Sequence, residues 1–204
     1  MSERFLAEML TEEALAAQER AYGRRMVAPR PGEADRLGED ERAFVETRDS
    51  FYLATTTSRG WPYVQHRGGP PGFLAALDER TLAFADLRGN RQLVSTGNLA
   101  HDDRVALLLM DYPARARLKI LGHATVLDAR EHPALADRTS PKALRSRVER
   151  VVRIGIVALS WNCPAYITPR FTEAEIAQAA APLHARIAEL EARVAELVAQ
   201  SPVG

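Results

Sequence analysis

Seven short runs rich in β-branched and aromatic residues, separated by turn residues, fill the stretch from Ser50 to Ser160 and narrow the choice of fold class sharply. They are FYLATTT, PYVQHRG, FLAALD, TLAFAD, RVALLLMD, RLKILGHATVLD and VVRIGIVALS. Runs at this spacing predict a barrel or a sandwich. Ser58, Arg59 and Gly60 fit a first hairpin turn, and Asp78 to Arg80 fit a second. Between strands, Gly89 to Leu99 and Pro133 to Arg150 are predicted to be helical.

The flanks of this region have a different period. Phe5, Leu6, Met9, Leu10, Ala14 and Leu15 recur at helical spacing and predict an amphipathic helix from Glu3 to about Tyr22. Gly23, Pro29, Pro31 and Gly32 break it, and a second short helix is expected from Gly38 through Arg48. After the strands, Ile176, Ala180, Leu183, Ile187, Leu190, Val194 and Leu197 repeat at alternating steps of four and three from Thr172 to Gln200, the seam of a coiled coil. Thr172 and Glu175 form a capping-box pattern at its start. A single helix packed on its own barrel would show the same stripe, so a partner contact and an internal contact both stand at this point. The expected organisation is an N-terminal helical extension over 1–49, a β-barrel over 50–171 and a terminal helix over 172–204.

With 204 residues the chain can bury one good core with helical extensions. Its 27 Lys and Arg balance 27 Asp and Glu, which removes the overall basic field that nucleic acid or an anionic membrane would require. A ligand must be bound by local groups. Cys163 is the only cysteine, which excludes an internal disulfide and a cysteine-rich metal site. The first twenty residues mix acids and bases and hold no apolar stretch of signal-peptide or membrane-span length. A cytoplasmic protein without metal is expected.

Four segments carry chemistry. In WPYVQHRGGPPGF, Gln65 and Arg67 share one strand face and His66 takes the other. The glycines and prolines after Arg67 end the strand and let backbone approach a ligand, so Arg67 is suited to a phosphate; an ordinary solvated arginine before a loop is the alternative. In DLRGNRQLVSTGN, Asn90 and Arg91 would open a helix whose free amides suit an anion, although such a junction is also a common loop. In RARLKILG, Arg115, Arg117 and Lys119 would share a cationic strand face, which could equally be solvent-exposed. In SWNCPAYITPR, Trp161 offers a stacking surface, Asn162 an amide and Arg170 a cation, while Cys163 reads as a small buried residue. No P-loop, dinucleotide fingerprint, HExxH helix or GxSxG elbow is present, and no carboxylate pair stands out. The pattern points to ligand binding more than to hydrolysis.

The order TxxGxPYVQHRGGPPGFL from Thr57, TLAFADxRGNR, NL, RVALLLMDY, RLKILGHA and WNCPAYITPR resembles the pyridoxamine 5′-phosphate oxidase-related flavin-binding family, in its larger branch with helical extensions. The resemblance runs from about Asp40 to Arg170. It implies a mainly β, α+β fold, a split β-barrel with N-terminal helices and a long C-terminal helix, which forms a homodimer with FMN at the subunit interface. By similarity Arg67 with Arg91 or Lys119 would hold the FMN phosphate, and Gln65, Asn90 and Arg117 would meet the ribityl chain or ring. Trp161, Asn162 and Arg170 would reach the flavin from near the other subunit.

The chain departs from the family at several points. Arg117 stands where the vitamin oxidases carry glutamine, and Gly89, Asn90 and Arg91 replace their serine-arginine-lysine run. Ala165 and Tyr166 stand where the nearer branch has glutamine and histidine. Pyridoxamine phosphate is therefore not the expected substrate. The resemblance implies an FMN-dependent oxidoreductase acting on a small molecule, in which the flavin carries the electrons and the protein supplies position and charge. A non-catalytic flavin carrier or sensor is the alternative, or a relative that holds a deazaflavin or haem; His66, His101, His123, His132 and His184 offer axial ligands without singling one out.

Overall fold

The computed structural model describes residues 2–161 and 164–200. Seven strands form one antiparallel sheet: β1 (Ser50–Thr56), β2 (Pro62–Gly68), β3 (Leu74–Ala76), β4 (Thr81–Leu87), β5 (Arg104–Asp111), β6 (Ala116–Asp128) and β7 (Val148–Trp161). Their order is β2-β1-β5-β6-β7-β4-β3, and the sheet curls into a half-barrel of the split-barrel type, as expected from the sequence. Each of the seven β-rich runs became a strand.

The alternation of side chains along each strand explains the curl. Phe51 and Leu53 on β1, Leu107 and Leu109 on β5, and Leu118 and Ile120 on β6 all point inward and are buried. Phe84 of β4 and Phe73 close on Phe51, with ring centroids 5.2 and 5.6 Å away, so the concave face holds a single close-packed core. The register of β6 on β7 shifts between Leu121 and Gly122, a bulge that bends these two long strands. A side chain at Gly122 would place its Cβ 2.5 Å from the Gly155 carbonyl oxygen, so only glycine allows the strands to meet there. In the β1–β2 hairpin Gly60 takes φ 81°, which a side chain would resist.

The helices are α1 (Glu3–Met9), α2 (Glu12–Tyr22), α3 (Glu39–Glu46), α4 (Val94–His101), α5 (Pro133–Arg138) and α6 (Glu173–Gln200), with a 3-10 turn over Lys142–Arg147. The single helix expected from Glu3 to Tyr22 is two. Thr11 is extended and its Oγ accepts from the Ala14 N–H at 3.4 Å, and with Glu12 and Glu13 behind it the segment starts a new helix. The helix expected over Pro133–Arg150 is divided at Pro141, which has no N–H to continue it, and β7 begins at Val148. The N-terminal segment is pinned to the barrel by Asp35, whose Oδ2 accepts from the Ser2 hydroxyl at 2.6 Å and the Leu159 N–H at 2.8 Å. Among the described residues no helix is long and apolar enough to cross a membrane.

Candidate cofactor site

Strand β2 is one edge of the sheet and β4 lies next to the other, and the curl brings them face to face. Arg67 of β2 donates from Nη1 to Asp86 Oδ1 of β4 at 2.8 Å. Arg150, the cross-strand neighbour of Asp86 on β7, donates from Nε to Oδ2 at 2.8 Å. Asp86 is only 7% exposed, so a buried carboxylate clamps two guanidinium groups and holds them fixed. The Arg67 guanidinium carbon lies 5.5 Å from the Phe84 ring centroid. Its Nε–H is buried and has no hydrogen-bond partner among the described residues.

That cavity has a volume of about 200 Å³ and is walled by β2, the end of β4, the start of β7 and the approach to α4. Gln65 and Arg67 enter it from β2, Asn90 and Arg91 from the loop, Ser95 from α4 and Arg150 from β7. The pairing Leu53↔Gln65 and Phe51↔Arg67 explains this aim, because Phe51 and Leu53 point to the concave side and their cross-strand partners do the same. Ser95 donates to Gln65 Oε1 at 2.8 Å, and buried Asn98 donates to Thr55 at 2.9 Å, so α4 is tied to β1 and β2 by side-chain hydrogen bonds.

The helix expected from Gly89 begins only at Val94. The intervening loop holds Arg91 at φ 61° and Leu93 at φ 52°, two non-glycine residues in the left-handed region. Each costs on the order of 1 kcal/mol or more, and such strain is characteristic of ligand-facing loops. The Gln92 N–H is turned onto the Asn90 side chain at 3.1 Å. Leu93 gives α4 no side-chain cap, so its first-turn amides lack a capping side chain beside the arginines. Three arginines face two carboxylates, Asp86 and Glu149, which leaves the lining cationic. A hydrogen bond from Arg88 lowers the pKa of the Glu149 carboxyl from its ordinary value.

The other expected residues lie elsewhere. Lys119 is on the convex face of β6, 6.0 Å from the Phe5 ring centroid, in an apolar groove of about 880 Å³ beneath α1. Arg117 sits opposite Met110 on β5, and Arg115 is not on a strand at all but in the preceding turn at φ 54°. Arg170 lies over the Tyr112 ring at 4.9 Å. Burial, then neighbouring Tyr52, pushes the Tyr112 phenol above its ordinary value against a downward pull from Arg170. Trp161 donates to Glu41 at 2.7 Å and meets the Phe44 ring edge-on at 4.8 Å, so in one chain it packs α3 onto the barrel. Asn162 and Cys163 lie outside the described residues.

The cavity thus brings together Gln65, Arg67, Asn90 and Arg91, and adds Asp86, Ser95 and Arg150, which sequence reasoning missed. Asp86 closes a strand that reads as apolar, and Arg150 fell inside an expected helix. The pairing of β4 with β7 is what joins them.

A HupZ variant from Group A Streptococcus shares the fold with a TM-score of 0.51 at 10% identity, over 62% of this chain and 99% of that one. A protein related to general stress protein 26 from Clostridium acetobutylicum aligns at TM-score 0.48 and 12% identity, over 67% and 94% of the two chains. An FMN-binding protein from Syntrophomonas wolfei aligns at 0.45 and 10%, over 60% and 83%. No curated protein matches the sequence. Residues 37–153, more than half of the 204, match the family model of pyridoxamine 5′-phosphate oxidase, a span that contains β1 to β6 and the whole arginine-lined cavity. On this match the chain belongs to the pyridoxamine 5′-phosphate oxidase family.

Proposed function

We propose that this protein binds FMN and acts as a flavin-dependent oxidoreductase on a small molecule. The observation that carries the reading is a polar, cationic cavity lined by Arg67, Arg91 and Arg150, two of them held by the buried Asp86, beside an uncapped helix start. Such a donor set fits a phosphate monoester and the hydroxyls of a polyol chain. Arg67 and Arg91 would hold the phosphate, with Arg150 alongside, and Gln65, Asn90 and Ser95 would meet the chain of hydroxyls. When bound, the flavin supplies the electron transfer itself. Asp86 keeps Arg67 and Arg150 in place before ligand arrives, so little ordering is left to be done on binding.

A cavity of about 200 Å³ takes the phosphate end of such a ligand but not the whole of it; complete small-molecule sites are on the order of 300–1,000 Å³. This supports a homodimer in which a second copy completes the site, and Lys119, Arg117, Trp161 and Arg170 are proposed to contribute there. Exposed Tyr52 and Val64 on the convex face fit a surface that a partner covers.

The test is a fluorescence titration of the apoprotein with FMN and with riboflavin. FMN should bind well and riboflavin, lacking the phosphate, much more weakly. Arg67→Ala should weaken FMN by about 1 to 3 kcal/mol, the scale of a charge-assisted hydrogen bond, and leave riboflavin unchanged. Equal affinity for the two ligands, or an Arg67→Ala variant that binds FMN as before, would overturn the assignment.

A further inference from the structure

Helix α6 runs for 28 residues from Glu173 to Gln200 and buries none of its side chains. Its start is secured locally: the Thr172 hydroxyl accepts from the Glu175 N–H at 3.2 Å, and Glu175 accepts from the Thr172 N–H at 2.7 Å. A stripe of Leu183, Ile187, Leu190 and Val194 stands 46 to 67% exposed along it. The helix therefore does not pack that stripe on its own barrel, which settles one of the two alternatives open from the sequence.

The residue types along the stripe specify what would cover it. Assigning heptad positions by the steps of three and four puts Ile187 and Val194 at a, and Leu183 and Leu190 at d. β-branched residues at a with leucine at d is the combination that favours a parallel two-stranded coiled coil. The flanking charges agree. Arg186 falls at g and Glu191 at the following e, the two positions that face each other across a parallel pair, so each dimer would gain two symmetry-related arginine–glutamate contacts. In an antiparallel pair g faces g, and Arg186 and Arg193 of one helix would meet the same arginines of the other. Within one chain Arg186 pairs with Glu189 at 2.6 Å, an exposed contact of the kind easily exchanged. Pro182 lies at c, on the side away from the seam.

We propose that α6 pairs with α6 of a second copy of this chain as a parallel, in-register two-stranded coiled coil. The pairing is independent of the flavin site and stands or falls without it.

Disulfide trapping in the full-length chain tests it. With Cys163, the only cysteine, replaced by serine, single variants Leu183→Cys, Val194→Cys and Ala192→Cys are oxidised with oxidised glutathione and run on non-reducing gels. Leu183→Cys and Val194→Cys should each trap most of the chain as a dimer. Ala192→Cys, on the outer face at f, should stay monomeric on the gel. An antiparallel pair has one twofold axis crossing the helices, where a residue meets its own copy, and the two seam positions lie about 16 Å apart along the helix, so it could trap at most one of them. Trapping at neither or only one seam position would overturn the proposal, and so would trapping at Ala192→Cys as strong as at the seam. Because these side chains lie outside the barrel core, FMN uptake of the same samples should be unchanged, which keeps the two proposals separable.

Discussion

At the scale of single residues, Asp86 organises the site. Its two oxygens each hold one guanidinium, and removing it would leave Arg67 and Arg150 facing one another across a mostly buried space. Losing one member of a buried ion cluster costs about 3–5 kcal/mol, and the partial exposure of the two arginines places Asp86→Ala at the lower end. Urea denaturation should show that loss, while Asp86→Asn, which keeps an acceptor, should lose less. A variant Asp86→Ala as stable as the parent would show that the clamp is unimportant. Part of this arrangement was legible in the sequence. Period-two alternation puts Gln65 and Arg67 on one face, the face that lines the cavity, whereas the helix expected to open at Asn90 and Arg91 starts only at Val94. Asp86 and Arg150 were not legible, because 64 positions separate them and only strand pairing joins them. Nor could alternation show that Lys119 and Gln65 occupy opposite sides of one sheet.

At the scale of elements, composition told strands from helices well and their ends less well. The seven β-rich runs are the seven strands, since each alternates core residues with outward ones over a length that one strand spans. The helix boundaries moved where a local capping group competes with a longer amphipathic stripe, as at Thr11, or where proline interrupts it, as at Pro141. The bulge at Gly122 left no signature beyond one glycine in a strand, yet β6 and β7 depend on it. Gly122→Ala must displace the Gly155 carbonyl or the Ile154 side chain, 2.8 Å from the added carbon. Overpacking of this kind costs about 1–3 kcal/mol, and the thermal midpoint should fall accordingly, whereas Gly32→Ala, in open space, should leave it where it is.

At the scale of the whole molecule, the chain is a family barrel with two features that face outward. One is a cavity of about 200 Å³ between the edge strand β2 and the strands β4 and β7. The other is a terminal helix with an unburied seam. Under the two proposals a second copy of the chain completes the first and covers the second. The order of motifs from Thr57 to Arg170 made the fold and the family legible before any coordinates, because several weak patterns in a fixed order are together specific. What that order could not convey is which cations converge, since convergence depends on curl and register.

The central claim, that the cavity anchors a flavin phosphate, is tested most directly by the absorbance spectrum of the purified protein after incubation with FMN and removal of excess. Two flavin bands that persist through desalting in the parent, and are lost or much reduced in Arg67→Ala, are the predicted result. A colourless parent after FMN incubation, or a Soret band in place of the flavin bands, would contradict the account.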